Sequence, residues 1–496
     1  MQSSKDWTRD QDDRKQAHGA PRFPMELWVV VAEQLRHDTN QTFQFYPVRP
    51  VHMPSIKSLR LTSRNLNAAV EALFWEQLEL DPVYLEKDTM GIIQHLHQNA
   101  AHREFVKCLR LSMWRPSPYN HPPPDGISYH TTPPVETLSG IFTKLHNLRA
   151  IRVYWSHMTC AMYEHLYSLQ QLEYVEFAEP PITLLENSLD SDRLDTTMLR
   201  LKAITVSYGA MEGSPPGVPA CARLCLSPSL EKLANLPSME PFIYALTNQQ
   251  SFDQLRHYEA VEPREWEGFT AFYAFAAHCP NLTSVKFRSD HVGIIEPDRI
   301  PAPPTNILTQ LRRFEGSVSV AARIVPGRPV ENVSTAFPSS HNGIPFEGSL
   351  KRLSESSRTL KVLNLTIRHL EDDYLSIISR IVPSVEELEI LFWSIMARGE
   401  KVETRLHLEQ LKPLSRLRAF VLKNLQPISA WLQPPFSELA EGADQIPAMK
   451  ILCKEHEHLE YVELGQTIRW IKEHDSWVRR SASGSAVVDF EVARSE

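Results

Sequence analysis

One short pattern recurs along most of this chain and limits what it can fold into. It reads large apolar, two residues, apolar, one residue, apolar. Clean instances start at Val106, Leu148, Leu172, Leu201, Leu282, Leu360, Val385, Leu417 and Leu459, with weaker ones at Leu230, Leu255 and Leu311. With 42% apolar residues, about one window in fourteen matches by chance, so the triplet alone carries little. Spacing and phase carry more. From Leu148 to Leu311 the starts advance by 24, 29, 29, 25, 27 and 29 residues. The residue after the first apolar position is polar in every clean instance: Lys107, Arg149, Glu173, Lys202, Thr283, Lys361, Glu386, Arg418 and Glu460. Such a period predicts one short parallel strand and one return segment per unit. Side chains alternate along a strand, so positions four and six face the core and the residue between them faces out.

This pattern resembles leucine-rich repeats of an irregular kind. The asparagine that usually follows the strand is missing: Trp114, Ser156, Pro180, Gly209 and Trp393 stand there, so the turns need another source of stability. The expected fold is α/β, a solenoid over residues 103–470 with parallel strands on the concave face and helices or loops on the convex one. Three gaps break the rhythm, at 106–148, 311–360 and 417–459, with proline-rich insertions at 115–134, 324–345 and 426–447.

Ahead of the repeats lie three short amphipathic helical patterns. Pro24 suits a first helical turn, and Leu27, Val31 and Leu35 share one face. After a polar stretch at 36–54, Ile56, Leu59 and Leu61 form a second pattern, and Thr62 or Ser63 can cap a third carrying Leu66, Val70, Leu73 and Phe74. The pieces Phe23-Pro24-x-Glu26-Leu27, Leu59-Arg60-Leu61-Thr62-Ser63-Arg64-x-Leu66 and Leu73-Phe74-Trp75, in this order, resemble an F-box of the kind common in filamentous fungi. Phe23 stands where that family usually has leucine, and the 36–54 connection is longer than its linker. The resemblance implies docking on the adaptor subunit of an SCF-type cullin–RING ubiquitin ligase, through apolar side chains entering a groove. Pro24, Leu27, Leu35, Ile56, Leu59 and Leu61 would be the anchors. The implied organisation is a tail at 1–21, an F-box-like domain at 22–80, a linking helix at 81–102, the solenoid, and a second tail at 471–496 with Val487–Val492 as a candidate terminal strand.

The outward position between the two core residues reads Arg110, Arg152, Glu176, Thr205, Glu259, Lys286, Glu315, Asn364, Glu389, Val421 and Glu463. Tyr154 and Arg288 are neighbours of that column. Like charges on adjacent strands are unfavourable unless splayed into water or neutralised. The expected substrate-binding set is Arg110, Arg152, Tyr154, Glu176, Lys286, Arg288 and Glu389, with Arg110, Arg152 and Tyr154 meeting an acidic or phosphorylated protein element.

A net charge of −8 argues against a basic surface for nucleic acid or anionic membranes. Seventeen glycines disfavour phosphate-cradling loops. Six dispersed cysteines fit a reducing compartment, and with no apolar leader the expectation is a cytoplasmic or nuclear protein. No GxSxG, GxxxxGK[ST], HExxH or EF-hand loop occurs. His95, His97 and His102 are spaced like exposed helix positions. Cys453, His456 and His458 lack an evident fourth zinc ligand and precede a strand where polar loop residues are expected. No catalytic residue, cofactor or metal is expected. Two other readings stay open: a repeat scaffold without a ligase role, and a metal-dependent hydrolase using the histidine-rich segments.

Overall fold

A computed structural model describes residues 71–80, 86–112, 135–154, 160–178, 199–207, 224–236, 251–288, 300–336, 346–392, 407–425 and 445–489, apart from positions 264, 368–369, 371–372, 466–467, 475 and 482–485. The six expected anchors from Pro24 to Leu61, the 1–21 tail, the 36–54 stretch and the 115–134 insertion lie outside these residues.

The chain divides into two compact units, Met1–Asp195 and Thr196–Glu496. In the first, β1 (Gln77–Leu80), β2 (Cys108–Ser112), β3 (Ala150–Tyr154) and β4 (Tyr174–Ala178) pair in parallel, each with the next. Register follows the apolar pattern. Leu78, Leu109, Ile151 and Val175 form one buried column and Leu80, Leu111, Val153 and Phe177 a second. A one-residue slip would turn both columns to water, so the pattern fixes the pairing. Helices α1 (Glu86–Gln98), α2 (Ala100–Phe105), α3 (Val135–Phe142) and α4 (Cys160–Ser168) return the chain between strands. They bury Ile93, Leu96, Leu138, Ile141, Phe142, Met162 and Leu166.

The second unit repeats the plan with β5 (Ala203–Ser207), β6 (Lys232–Leu236), β7 (His257–Val261), β8 (Ser284–Arg288), β9 (Arg313–Ser317), β10 (Asn332–Ala336), β11 (Val362–Ile367), β12 (Glu387–Phe392), β13 (Ala419–Asn424) and β14 (Tyr461–Leu464). Successive strands are again parallel. The returns are α5 (Trp266–Ala276), α6 (Val318–Ile324), α7 (Phe346–Ser354), α8 (Tyr374–Ile381), a 3-10 turn at Leu408–Leu411, and α9 (Ile446–Glu455). Aromatic rings fill the core where α5 meets β7 to β9: Tyr258, Phe269, Phe272, Phe275, Phe287 and Phe314.

The polar residue one step after the first apolar position has a backbone role. Its carbonyl accepts two N–H groups from the next repeat. Lys361 and Val362 both donate to the Glu331 carbonyl at 2.8 and 3.1 Å, and Glu386 and Glu387 both donate to that of Lys361 at 2.7 and 3.0 Å. The same fork recurs from Lys107 to Arg418. A second device replaces the missing asparagine. A turn closes just ahead of each strand, as where Leu172 donates to Leu169, Leu282 to Cys279, Val385 to Val382 and Leu459 to His456. Polar side chains then satisfy carbonyls of the preceding unit: Ser227 Oγ reaches Leu199 and Leu201, Ser356 Oγ reaches Arg328 and Val330, and His456 Nδ1 reaches Leu414.

Four expectations are corrected. The F-box-like segment was expected to run to residue 80, but Gln77–Leu80 is the first repeat strand, and Trp75, Leu78 and Leu80 are its buried triplet. The 81–102 linking helix is the α1–α2 return of that repeat. The 311–360 gap holds a full repeat: Asn332 pairs with Arg313, nineteen residues before it, and α6 closes the short return. Thr335 occupies the sixth position there, which hid the triplet. The segment from 471 is no tail. β15 (Ile468–Glu473), β16 (Ser476–Ser481) and β17 (Ala486–Asp489) form an antiparallel meander on β14. Gly465, at φ 77°, begins the reversal. The buried Trp470 indole donates to Gln445 Oε1 at 3.0 Å, and Gln445 Nε2 donates to the Leu464 carbonyl at 3.0 Å. The meander thereby covers what would be an open strand edge.

Thr335 is 3% exposed and its hydroxyl has no hydrogen-bond partner. Thr335→Val removes that buried orphan at nearly constant volume. It should raise stability by about 1 kcal/mol, read by urea denaturation.

Candidate functional site

The strands present two columns of charge on each unit. One is the outward position within the strand. The other is the fork-bearing residue just before it. In the first unit the outward column is Glu79, Arg110, Arg152, Glu176, in register across β1 to β4. Arg110 Nη1 lies 2.9 Å from Glu79 Oε1, and Arg152 Nη2 lies 2.8 Å from Glu176 Oε1. The fork column is Glu76, Lys107, Arg149, Glu173, with Lys107 Nζ 2.9 Å from the buried Glu76. Both columns read acidic, basic, basic, acidic.

The expected neighbours Arg110 and Arg152 are therefore brought together, but each has an intramolecular carboxylate. The expected column starts at Arg110 and lacks Glu79, because in the sequence β1 follows a helical pattern without a break. Glu176, expected as an independent contact, is the partner of Arg152. Tyr154 closes β3, in register with Ser112 and Ala178.

In the second unit Lys286 sits between two acids, 3.0 Å from Glu315 and 3.9 Å from Glu259, while Arg288 Nε lies 3.7 Å from Glu259. These four form one cluster on β7 to β9. Glu389 stands apart on β12, between Asn364 and Val421 in register. The fork column alternates in sign throughout: Lys202, Glu231, Arg256, then Arg312, Glu331, Lys361, Glu386, Arg418, Glu460, with neutral Thr283 between the runs. Glu331 accepts from Arg358 at 2.6 Å and Arg312 at 3.1 Å, with Lys361 at 3.7 Å. The Arg358 hydrogen bond, outweighing a smaller desolvation, holds its carboxyl below the ordinary range.

The histidine segments fall into structural roles. His95 and His102 are not simply solvated. They stack with Trp75 and with each other at centroid distances of 4.8 to 5.1 Å, share a 2.6 Å hydrogen bond, and His102 Nε2 meets Glu71 at 3.0 Å. His456 is a buried turn residue rather than a polar loop residue. Burial pushes the Cys453 thiol up to about 11, so in the protein as it stands the sulfur is a neutral thiol at neutral pH. Among the described residues, no three His, Cys, Asp or Glu side chains are placed to hold a metal ion.

At the end of the parallel array, Glu463 is buried among cations. It accepts from Tyr461 Oη at 2.6 Å, Lys423 Nζ at 3.0 Å and Arg469 Nε at 3.2 Å. Burial alone would raise its pKa, but these three contacts outweigh it and hold the carboxyl below the ordinary range. A depressed carboxylate stabilises the fold above the unfolded value of about 4.3, and that contribution is lost as pH falls through the lower folded value. Glu463→Gln should cost about 2 kcal/mol at neutral pH. The gap to wild type should close as the pH is taken below about 4, checked by denaturant titration across pH.

No protein-family model and no curated protein matches the chain. Among solved structures, the TLR13–ssRNA13 complex aligns at 14% identity and a TM-score of 0.32, over 73% of this chain and 47% of that one. The leucine-rich repeat domain of APL1B aligns at 9% identity and a TM-score of 0.20, over 66% of this chain and 64% of that one. The chain thus spans less than two thirds of either. The repeat fold rests on this chain's own strand register, independently of these likenesses.

Proposed function

We propose that this chain is a non-catalytic protein-binding scaffold, the substrate receptor of an SCF-type cullin–RING ubiquitin ligase. In this reading Pro24, Leu27, Leu35, Ile56, Leu59 and Leu61 dock on the ligase adaptor. The strand faces, through Arg110, Arg152, Tyr154, Glu176, Lys286, Arg288 and Glu389, hold a protein substrate. The contribution is proximity: substrate lysines are kept near the charged conjugating enzyme.

The observation that supports it most is the junction at Trp75. The last piece of the three-part F-box-like pattern, Leu73-Phe74-Trp75, lies on a helix that runs to residue 76 and passes without a linker into β1. Trp75 is 7% exposed and supplies the first apolar residue of the first repeat. A helical module joined in this way would hold a bound substrate at a fixed distance from the adaptor. Leucine-rich repeats without a ligase role would use the same junction as an end cap.

Co-expression with the adaptor separates the first two readings. The wild type should co-purify with the adaptor, and Leu27→Asp with Leu59→Asp should abolish capture while the circular dichroism spectrum stays unchanged. Equal capture by the double variant, or none by the wild type, would remove the ligase role.

A further inference from the structure

Across both units, charged neighbours in the two columns alternate in sign with one exception. In the outward column Glu79 faces Arg110, Arg152 faces Glu176, and Lys286 faces both Glu259 and Glu315. In the fork column, every described pair of charged neighbours in the second unit is of opposite sign. Among the described parallel strands, cations adjoin in these columns only between β2 and β3, and they do so in both columns at once: Arg110 beside Arg152, and Lys107 beside Arg149. Like charges on adjacent strands oppose pairing. Among the described parallel strands, these two columns avoid this elsewhere and carry four such charges in one place.

We infer that Lys107, Arg110, Arg149 and Arg152 form a binding site for a short acidic peptide element flanked by basic residues. This rests on reading the repeats as a protein-binding scaffold, and it names the substrate class. Complementarity sets the chemistry. The four cations span two strands, and carboxylates bound them on both sides: Glu76 and Glu79 on β1 and its approach, Glu173 and Glu176 on β4 and its approach. At the usual strand spacing of about 4.8 Å the two acidic rows stand roughly 14 Å apart. Two adjacent carboxylates or phosphates fit between them, and basic flanks on the peptide would meet the glutamates. A nucleic-acid backbone, continuously anionic, would run onto an acidic row in either direction across the strands. Arg110 and Arg152 hold their carboxylates across partly exposed pairs, which an incoming acidic group can share, and Lys107 stays on buried Glu76.

The test is fluorescence anisotropy with the purified full chain at low ionic strength. The probes are a peptide with two central glutamates between lysines, its bis-phosphoserine and bis-serine counterparts, and a short single-stranded RNA. Both acidic peptides should bind, with the serine peptide and the RNA weaker by about tenfold or more. Exposed Arg149 can be reversed without touching the core, so Arg149→Glu should lower acidic-peptide affinity by about tenfold, while Lys361→Glu on the alternating column leaves it within about twofold. Tighter binding of the phosphoserine arm assigns the acidic groups to phosphates, and equal binding assigns them to carboxylates. No binding of either acidic peptide, stronger binding of the RNA, or equal loss in both variants would overturn the inference. Adaptor capture that persists while peptide binding fails would sink this site alone. Failed capture with intact peptide binding would sink only the ligase role.

Discussion

Everything in this molecule depends on how one strand is joined to the next. A parallel strand exposes a row of backbone donors and acceptors along each side, and none can be left dry and unpaired. The solution here is uniform. At Lys107 and Arg149, and again from Lys202 through to Arg418, one carbonyl at the strand entrance takes two N–H groups from the following unit, and the ladder continues from that fork. Because the fork needs a residue at the bend, partly open to water, that position is polar. The phase preserved in the sequence is thus the trace of a backbone bond. Once it is fixed, the buried columns, the outward column and the charges on it are fixed too.

Electrostatics then refine the stack. Alternating sign between neighbours favours pairing of each strand with its true neighbour, since skipping one repeat would bring like charges together. Each exposed pair contributes little, but the pattern is spread over most of the array. Where a carboxylate is shared among cations, as at Glu331, the local preference is stronger. Against that background, two basic strands side by side, with their carboxylate partners on the strands outside them, are a departure, and that contrast turns a charged surface into a candidate site.

Much of the architecture was legible because burial imposes a period of two within a strand and a longer one between strands. The failures have physical causes. The first repeat reads Trp75-x-x-Leu78-x-Leu80, a clean triplet, but its first residue ends a helical pattern that runs into the strand without a break. The β10 strand buries a threonine where the pattern asks for a hydrocarbon. Its step of nineteen residues also falls below the period set by the other units. The terminal meander alternates Ile468, Trp470 and Trp477 with arginines and lysines, and its charge content masked a half-buried sheet. At the site, the arginine pair was readable from the alignment of units. Of their carboxylate partners, Glu176 stands in the same column, whereas Glu79 is hidden because its strand continues a helical pattern.

The most direct measurement is native-state hydrogen exchange on the full chain, resolved to single amides. Forked amides at each strand entrance, including Glu331 and Asn332 on the short repeat and Lys361 and Val362 on the next, are predicted to exchange slowly and with similar protection. Rapid, loop-like exchange across residues 331–336, with protection confined to the flanking strands, would contradict the account.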